Sequence, residues 1–132
     1  MSRNKNHELI MQSIYIELTY IAMKEEVNIP LIMEGVFNTP FNKIDLFSRG
    51  VVIKANRYLD EIVNRLSQTL KGWKWERISR LAQAILIMSC AHYYYVEKVD
   101  KAIVIEVAVK LAKKYLDQNE PKFINGVLDK VL

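Results

Sequence analysis

Cysteine, proline and glycine are scarce in this chain of 132 residues, with one, three and four copies. The single thiol, Cys90, excludes an intramolecular disulfide and any cysteine-built metal site. It lies in the apolar run 84–91, so it is expected as a reduced, inert core residue. So few chain breakers argue against a fold of many short strands and favour long helices. Histidine is scarce too: His7 and His92 are far apart, and neither stands at metal-ligand spacing from another strong ligand. The apolar run is too short to span a bilayer, and the polar residues 1–6 carry no signal-peptide core. The expectation is a cytoplasmic protein with no membrane partner. No phosphate-cradling glycine loop, nucleophile elbow or paired-carboxylate motif is present. Hence no catalytic residue, no cofactor and no metal are expected, and the chain is read as not an enzyme.

What remains is a chain 51% hydrophobic and 26% charged, which suits one folded domain over residues 1–132. The net charge of +4 suits a polyanionic partner. Apolar residues recur at helical spacing throughout. Ile10, Ile14, Leu18 and Ile21 predict a first helix over 6–26. Pro30 breaks the pattern and opens a short helix over 30–36. From Ile44 to Leu70 the stripe reads as one long helix, or as two with a joint near Gly50 or Asn56, closed by Gly72 as cap. Ile78, Leu81, Ile85, Met88 and His92 trace a helix apolar around much of its circumference, expected at the centre of the fold. Asp100 is placed to cap the next helix, whose inner face carries Val104, Ala108, Leu111 and Tyr115. After a turn at 117–121, Phe123, Val127, Leu128 and Val131 form the inner face of a last helix. No segment reads as strand, so the fold class is all-α with six or seven helices.

Charge supplies the main functional lead. Between Lys54 and Arg80 lie seven basic residues against three acids, a local excess as large as that of the whole chain. Trp73 and Trp75 interleave with Lys71, Lys74 and Arg77. Cations that neutralise phosphates beside rings that stack bases are the usual means of holding a single strand. A solvated face is the competing reading, and Trp73 by itself is expected as a core plug. Arg3 and Lys5 form a short basic arm before the first apolar residues. Tyr93, Tyr94 and Tyr95 cannot share one helix face, so at least one is expected near the surface. Glu106 is a lone acid on an apolar helix, read as answering a lysine or capping a hydrogen-bond network. Asn125-Gly126 is read as a site of close helix packing, with Asn125 bonded to a neighbouring loop.

Three motifs in order resemble the transcription antitermination factor NusB family. Residues 122–130, KFINGVLDK, are similar to its closing "KFVNGVLDK". Residues 106–115, EVAVKLAKKY, resemble its "EAVELAKKF" helix, and 73–78, WKWERI, its "WxxxRL" element. The resemblance is clear from about Phe47 to the C-terminus, and Tyr15 stands where the family has the tyrosine of "ALY". It implies an all-α fold of two packed helical bundles. It also implies joint binding of boxA-like single-stranded RNA with NusE, a small-subunit ribosomal protein, in an antitermination complex with RNA polymerase that supports ribosomal RNA operons. On this basis the RNA-binding candidates are Arg3, Lys5, Tyr15, Lys71, Lys74, Arg77, Asn119 and Lys122. The chain departs from the pattern in several places. The family's arginine-rich arm is reduced to Arg3 and Lys5, the arginine after "AIL" is Ile87, and "YE" is Ala91-His92. The proline before "AINEA" is Val99. A more apolar central helix leaves a homodimer, or a closer partner surface, as an alternative to lineage drift. A NusB-like module that has lost RNA binding is the rival function. An RNA cytosine methyltransferase, which carries a similar domain, is the enzymatic rival, but no cofactor motif supports it.

Overall fold

The computed structural model describes residues 3–132, and all regular structure among them is helical. Seven α-helices run in order: α1 (Arg3–Ala22), α2 (Ile29–Phe37), α3 (Leu46–Arg57), α4 (Leu59–Thr69), α5 (Arg80–Ala91), α6 (Lys101–Tyr115) and α7 (Glu120–Val131). Single 3-10 turns at Phe41–Lys43 and Trp75–Arg77 and a π-turn at His92–Val96 lie between them. α5 is the axis of the fold. Every residue from Ala84 to Ala91 is buried, so α5 has no solvent face there. α1, α2 and α3 form one group around it, and α4, α6 and α7 the other. No helix among the described residues is long and apolar enough to cross a membrane.

Local chemistry explains most of the boundaries. Asn28 caps α2 by accepting from the Leu31 N–H at 3.1 Å, and Pro30 fills its first turn. Asp45 caps α3 by accepting from the Ser48 N–H at 2.9 Å, and Ser79 caps α5 through Ala82 at 3.2 Å. The stripe is two helices with the joint at Tyr58, near Asn56 as one alternative had it and away from Gly50.

Several expectations need correction. α1 stops at Ala22 rather than continuing to Glu26. Its end closes in a Schellman pattern: the Glu25 N–H donates to Tyr20 and the Lys24 N–H to Ile21, with Lys24 left-handed at φ 59. Ile21, expected on the inner face, is exposed, while Glu17, one turn earlier on the same face, is buried. Gly72 is not the cap of α4, which ends at Thr69 with Leu70 as its cap; the Gly72 φ of 75 turns the following loop. Asp100 occupies the cap position of α6 without a side-chain bond. Asn125 and Gly126 are exposed, and a Cβ on Gly126 would meet nothing within 4 Å. This glycine therefore serves no close helix contact.

Two of the three tyrosines fasten the end of α5 to its neighbours, and Tyr93 packs edge-on to Tyr94. The Tyr94 hydroxyl donates to the Val131 carbonyl. Tyr95 donates to Glu61 at 2.9 Å and stacks on Tyr58 at 4.0 Å. All three are half-buried, which places them at a core edge.

Candidate nucleic-acid interface

The loop between α4 and α5 presents its cations because its one turn is held from behind. Gln83 Nε2 donates to the Trp75 carbonyl at 2.9 Å, and Trp75 is half-buried against the core. The residues on either side are left outside. Lys71, Lys74 and Arg77 are exposed, and none enters an ion pair among the described residues. Trp73 is 58% exposed, against the expectation of a core plug. Its ring lies 5.8 Å from that of Phe123 on α7. The α7 helix brings Lys122 to the same place, so Lys71, Trp73, Lys122 and Phe123 line one groove of about 230 Å³. Lys74 and Arg77 follow on the same loop. The structure thus brings Lys122 to Lys71 and Trp73, about fifty residues earlier in the sequence.

Other candidates lie elsewhere. Arg3 opens α1, where its guanidinium sits 2.9 Å from Glu97 and 4.0 Å from the centre of the Phe47 ring. Lys5 lies 3.5 Å from Glu8, a carboxylate also bonded by Lys114, which holds it below the usual carboxylate range. Arg80, at the start of α5, donates to Thr19 near the opposite end of α1. Arg3 is roughly 24 Å away from that point along the helix, at about 1.5 Å per residue. The arm and the loop therefore do not converge. Tyr15 is half-buried and packs against the core. Asn119 is exposed at the cap position of α7 and makes no capping bond. Glu106 answers Lys110 at 3.3 Å, one turn away.

Sequence reasoning missed a cluster beneath Arg3. His7 and His92 are both buried, with ring centres 6.3 Å apart, and the Phe47 ring lies edge-on to each. His92 Nε2 lies 2.8 Å from Glu97 Oε1, and this bond, with the Arg3 charge, lowers the Glu97 pKa. Burial, with the charges of His92 and Arg3, drives the His7 pKa down to about 4. Histidines so far apart in a sequence give no signal of their meeting. Among the described residues no group of three or more His, Cys, Asp and Glu side chains is placed to hold a metal ion. Burial raises the Cys90 pKa to about 12, which makes it an inert thiol.

Two larger hollows differ from the groove in their charge. One, of about 820 Å³ between α1 and α4, carries Asp60 and Glu76 on its walls. The other, of about 410 Å³ between α1 and α6, mixes Arg3, Lys110 and Lys114 with Glu8 and Glu106. A polyanion is repelled by part of the wall in both. The Lys71–Lys122 groove has no such acid.

Comparison with known proteins gives a consistent result. The NusB family model matches residues 5–132. The chain is 32% identical to the transcription antitermination protein NusB of Finegoldia magna, over all of this chain and 94% of that protein. It is 34% identical to that of Clostridium perfringens (strain 13 / Type A), over 99% of this chain and 96% of the other. In fold it is similar to T. maritima NusB, with a TM-score of 0.82 at 18% identity over 99% of this chain and 90% of that one. It is also similar to a chain in a crystal structure of antitermination factors NusB and NusE in complex with dsRNA. There the TM-score is 0.77 at 21% identity, over 99% of this chain and 97% of that one.

Proposed function

Because this chain belongs to the NusB family, we propose that it is a transcription antitermination factor that binds boxA-like single-stranded RNA jointly with NusE. It acts as a single non-enzymatic domain in the cytoplasm, supporting transcription of ribosomal RNA operons. The observation that carries the RNA reading is the loop from Lys71 to Arg77. Its three cations are exposed and free of ion pairs among the described residues, and Lys71 shares a groove with an exposed indole and Lys122. Unpaired cations take phosphates without first releasing a carboxylate, and an exposed ring accepts a base face. NusE docks on a separate face, so two modest contacts on one scaffold reinforce each other through effective concentration. Asn119 lies next to the Lys122 end of α7 and contributes a polar contact. Tyr15, Arg3 and Lys5 are secondary, because Tyr15 is half in the core and each cation faces a carboxylate.

The second reading, a NusB-fold interaction module without specific RNA binding, draws on one observation: the residual arm is turned inward onto Glu97. A binding titration separates the two. Labelled boxA RNA and a scrambled control are titrated with the protein, with and without NusE, over a salt series. Tighter, sequence-dependent binding with NusE, weakening linearly in log salt, is expected. Equal weak binding to both RNAs in every condition would favour the interaction module.

A further inference from the structure

The cationic groove does not end at Lys122. A second hollow, lined by Arg65, Gln68, Thr69, Lys130 and Val131, shares Thr69 and Lys130 with the first. The two are one trench along the cleft between the end of α4 and the length of α7. Four cations line it, Lys71, Lys122, Lys130 and Arg65, and among the described residues no acid does. The nearby carboxylates are engaged outside the lining. Asp129 pairs with Lys101 at 3.3 Å, and Glu61 accepts from Tyr95 and lies 4.0 Å from Arg65. Arg65 is itself held over the Tyr94 ring at 4.5 Å, which fixes the far end of the trench.

Gly126 has a role in this geometry. It lies in the wall between Lys122 and Lys130, one turn from each, and open space surrounds the position of a Cβ. A glycine inside a helix costs stability relative to alanine, roughly 1 kcal/mol. No helix contact here calls for one. What its bareness does is keep the wall of the trench low where a ligand would pass.

We propose that this α4–α7 trench is a track for single-stranded RNA. A base stacks on Trp73 against Phe123, the backbone passes over Gly126, and the phosphates step from Lys71 and Lys122 to Lys130 and Arg65. The inference rests on the RNA-binding reading above and adds to it the path, two phosphate contacts and the close-approach point. A duplex keeps its bases stacked inside and offers Trp73 no free face, so the trench selects unpaired strand.

The test uses the full chain carrying Trp75→Phe, which leaves Trp73 as the only indole and keeps the backbone carbonyl that Gln83 holds. Single-stranded boxA-like RNA, the same sequence as duplex, and poly-glutamate as an acidic-peptide probe are titrated while Trp73 fluorescence and anisotropy are followed. Quenching by the single strand alone is expected. Gly126→Met, which places an unbranched helix former in open space, keeps or raises Tm while weakening the single strand about tenfold, by lifting the backbone off the wall and pulling the adjoining base from Trp73. Lys130→Ala and Arg65→Ala each lower the salt slope by about 0.7. RNA that still binds with NusE but leaves Trp73 unquenched and all three variants unchanged overturns the track and leaves the antitermination reading intact. Quenching by single strands indifferent to sequence and to NusE supports the track and removes that reading. Quenching by poly-glutamate in place of RNA overturns the track as a nucleic-acid site.

Discussion

The first turns of α1 and the α4–α7 side of the molecule carry the same kinds of side chain in opposite states. Around the start of α1, charge is answered or withdrawn from water: Arg3 meets Glu97, Lys114 meets Glu8, and His7 is buried beside His92. Nearly three turns beyond His7 on α1, Glu17 is fully buried and its carboxyl oxygens have no hydrogen-bond partner among the described residues. Along α4–α7 no acid among the described residues lines the trench, Lys71, Lys122 and Lys130 are exposed, and only Arg65 has a carboxylate, Glu61, at 4.0 Å. Titratable groups in the first region are coupled to folding, because their environment exists only in the folded chain. Those in the second are coupled to binding, because a ligand supplies their partner. Positive charge is thus a poor guide to function until its neighbours are known.

Glu17 gives the largest expected effect. Burial raises its carboxyl pKa from the ordinary 4.5 to about 8, so it is held neutral in the folded chain near neutral pH. In the unfolded chain it ionises above its ordinary pKa. The stabilising state is therefore complete below that value and is lost as pH rises towards the folded one, at about 1.4 kcal/mol per pH unit. Glu17→Gln removes this slope. Chemical denaturation of both proteins from pH 4 to pH 9 should show the variant's relative stability growing through the window and levelling off above it, with RNA affinity unchanged. Parallel pH profiles would mean that Glu17 is solvated or paired, and the inward character of α1 would fail with it.

The opposite signature belongs to the loop. Replacing Lys71, Lys74 and Arg77 together by alanine removes three exposed, unpaired cations. RNA affinity should fall about 100-fold at low salt and the salt slope by about 2, since each single-strand phosphate contact contributes about 0.7. Thermal stability should stay within the small range usual for exposed positions. A fall in Tm with unchanged RNA binding would reverse the contrast between the two regions.

Much of this was legible in the sequence, for physical reasons. Helices with a buried stripe declare themselves by their period, and α5 did so most clearly because nearly its whole circumference is core. Asn28, Asp45 and Ser79 cap through their immediate neighbours, a local signal the sequence reading did not use. The caps it named fail: Leu70 stands in the place expected of Gly72, and Asp100 makes no side-chain bond. The end of α1 could not be read, because a lysine rather than a glycine takes the left-handed position. Which tryptophan faces inward was equally hidden: the loop from Leu70 to Ser79 has no period, and Gln83 selects Trp75 by a single bond to its carbonyl. The trench combines α4, α7 and a loop, and the histidine cluster combines α1, α3 and the π-turn. Juxtapositions of that kind are decided by packing, and neither left a local mark.

Arg3 provides the smallest effect and the closest test of the contrast. Its pairing with Glu97 is more than half exposed, at 54% for the arginine side chain, so solvent screens most of it. Its place over Phe47 adds a cation–π contact of similar size. Arg3→Ala should therefore cost on the order of 1 kcal/mol of stability. RNA affinity should change less than about twofold, because a phosphate gains from Arg3 only what remains after Glu97 is released. Glu97→Gln sharpens the comparison by keeping the shape and removing the competing charge. If Arg3 takes part in RNA binding at all, this variant tightens it, and Arg3→Ala in the same background reverses the gain. A tenfold loss from Arg3→Ala alone, measured beside the loop variant at the same salt, would place the start of α1 on the RNA path. The division between a folding end and a binding side would then have to be redrawn around α1.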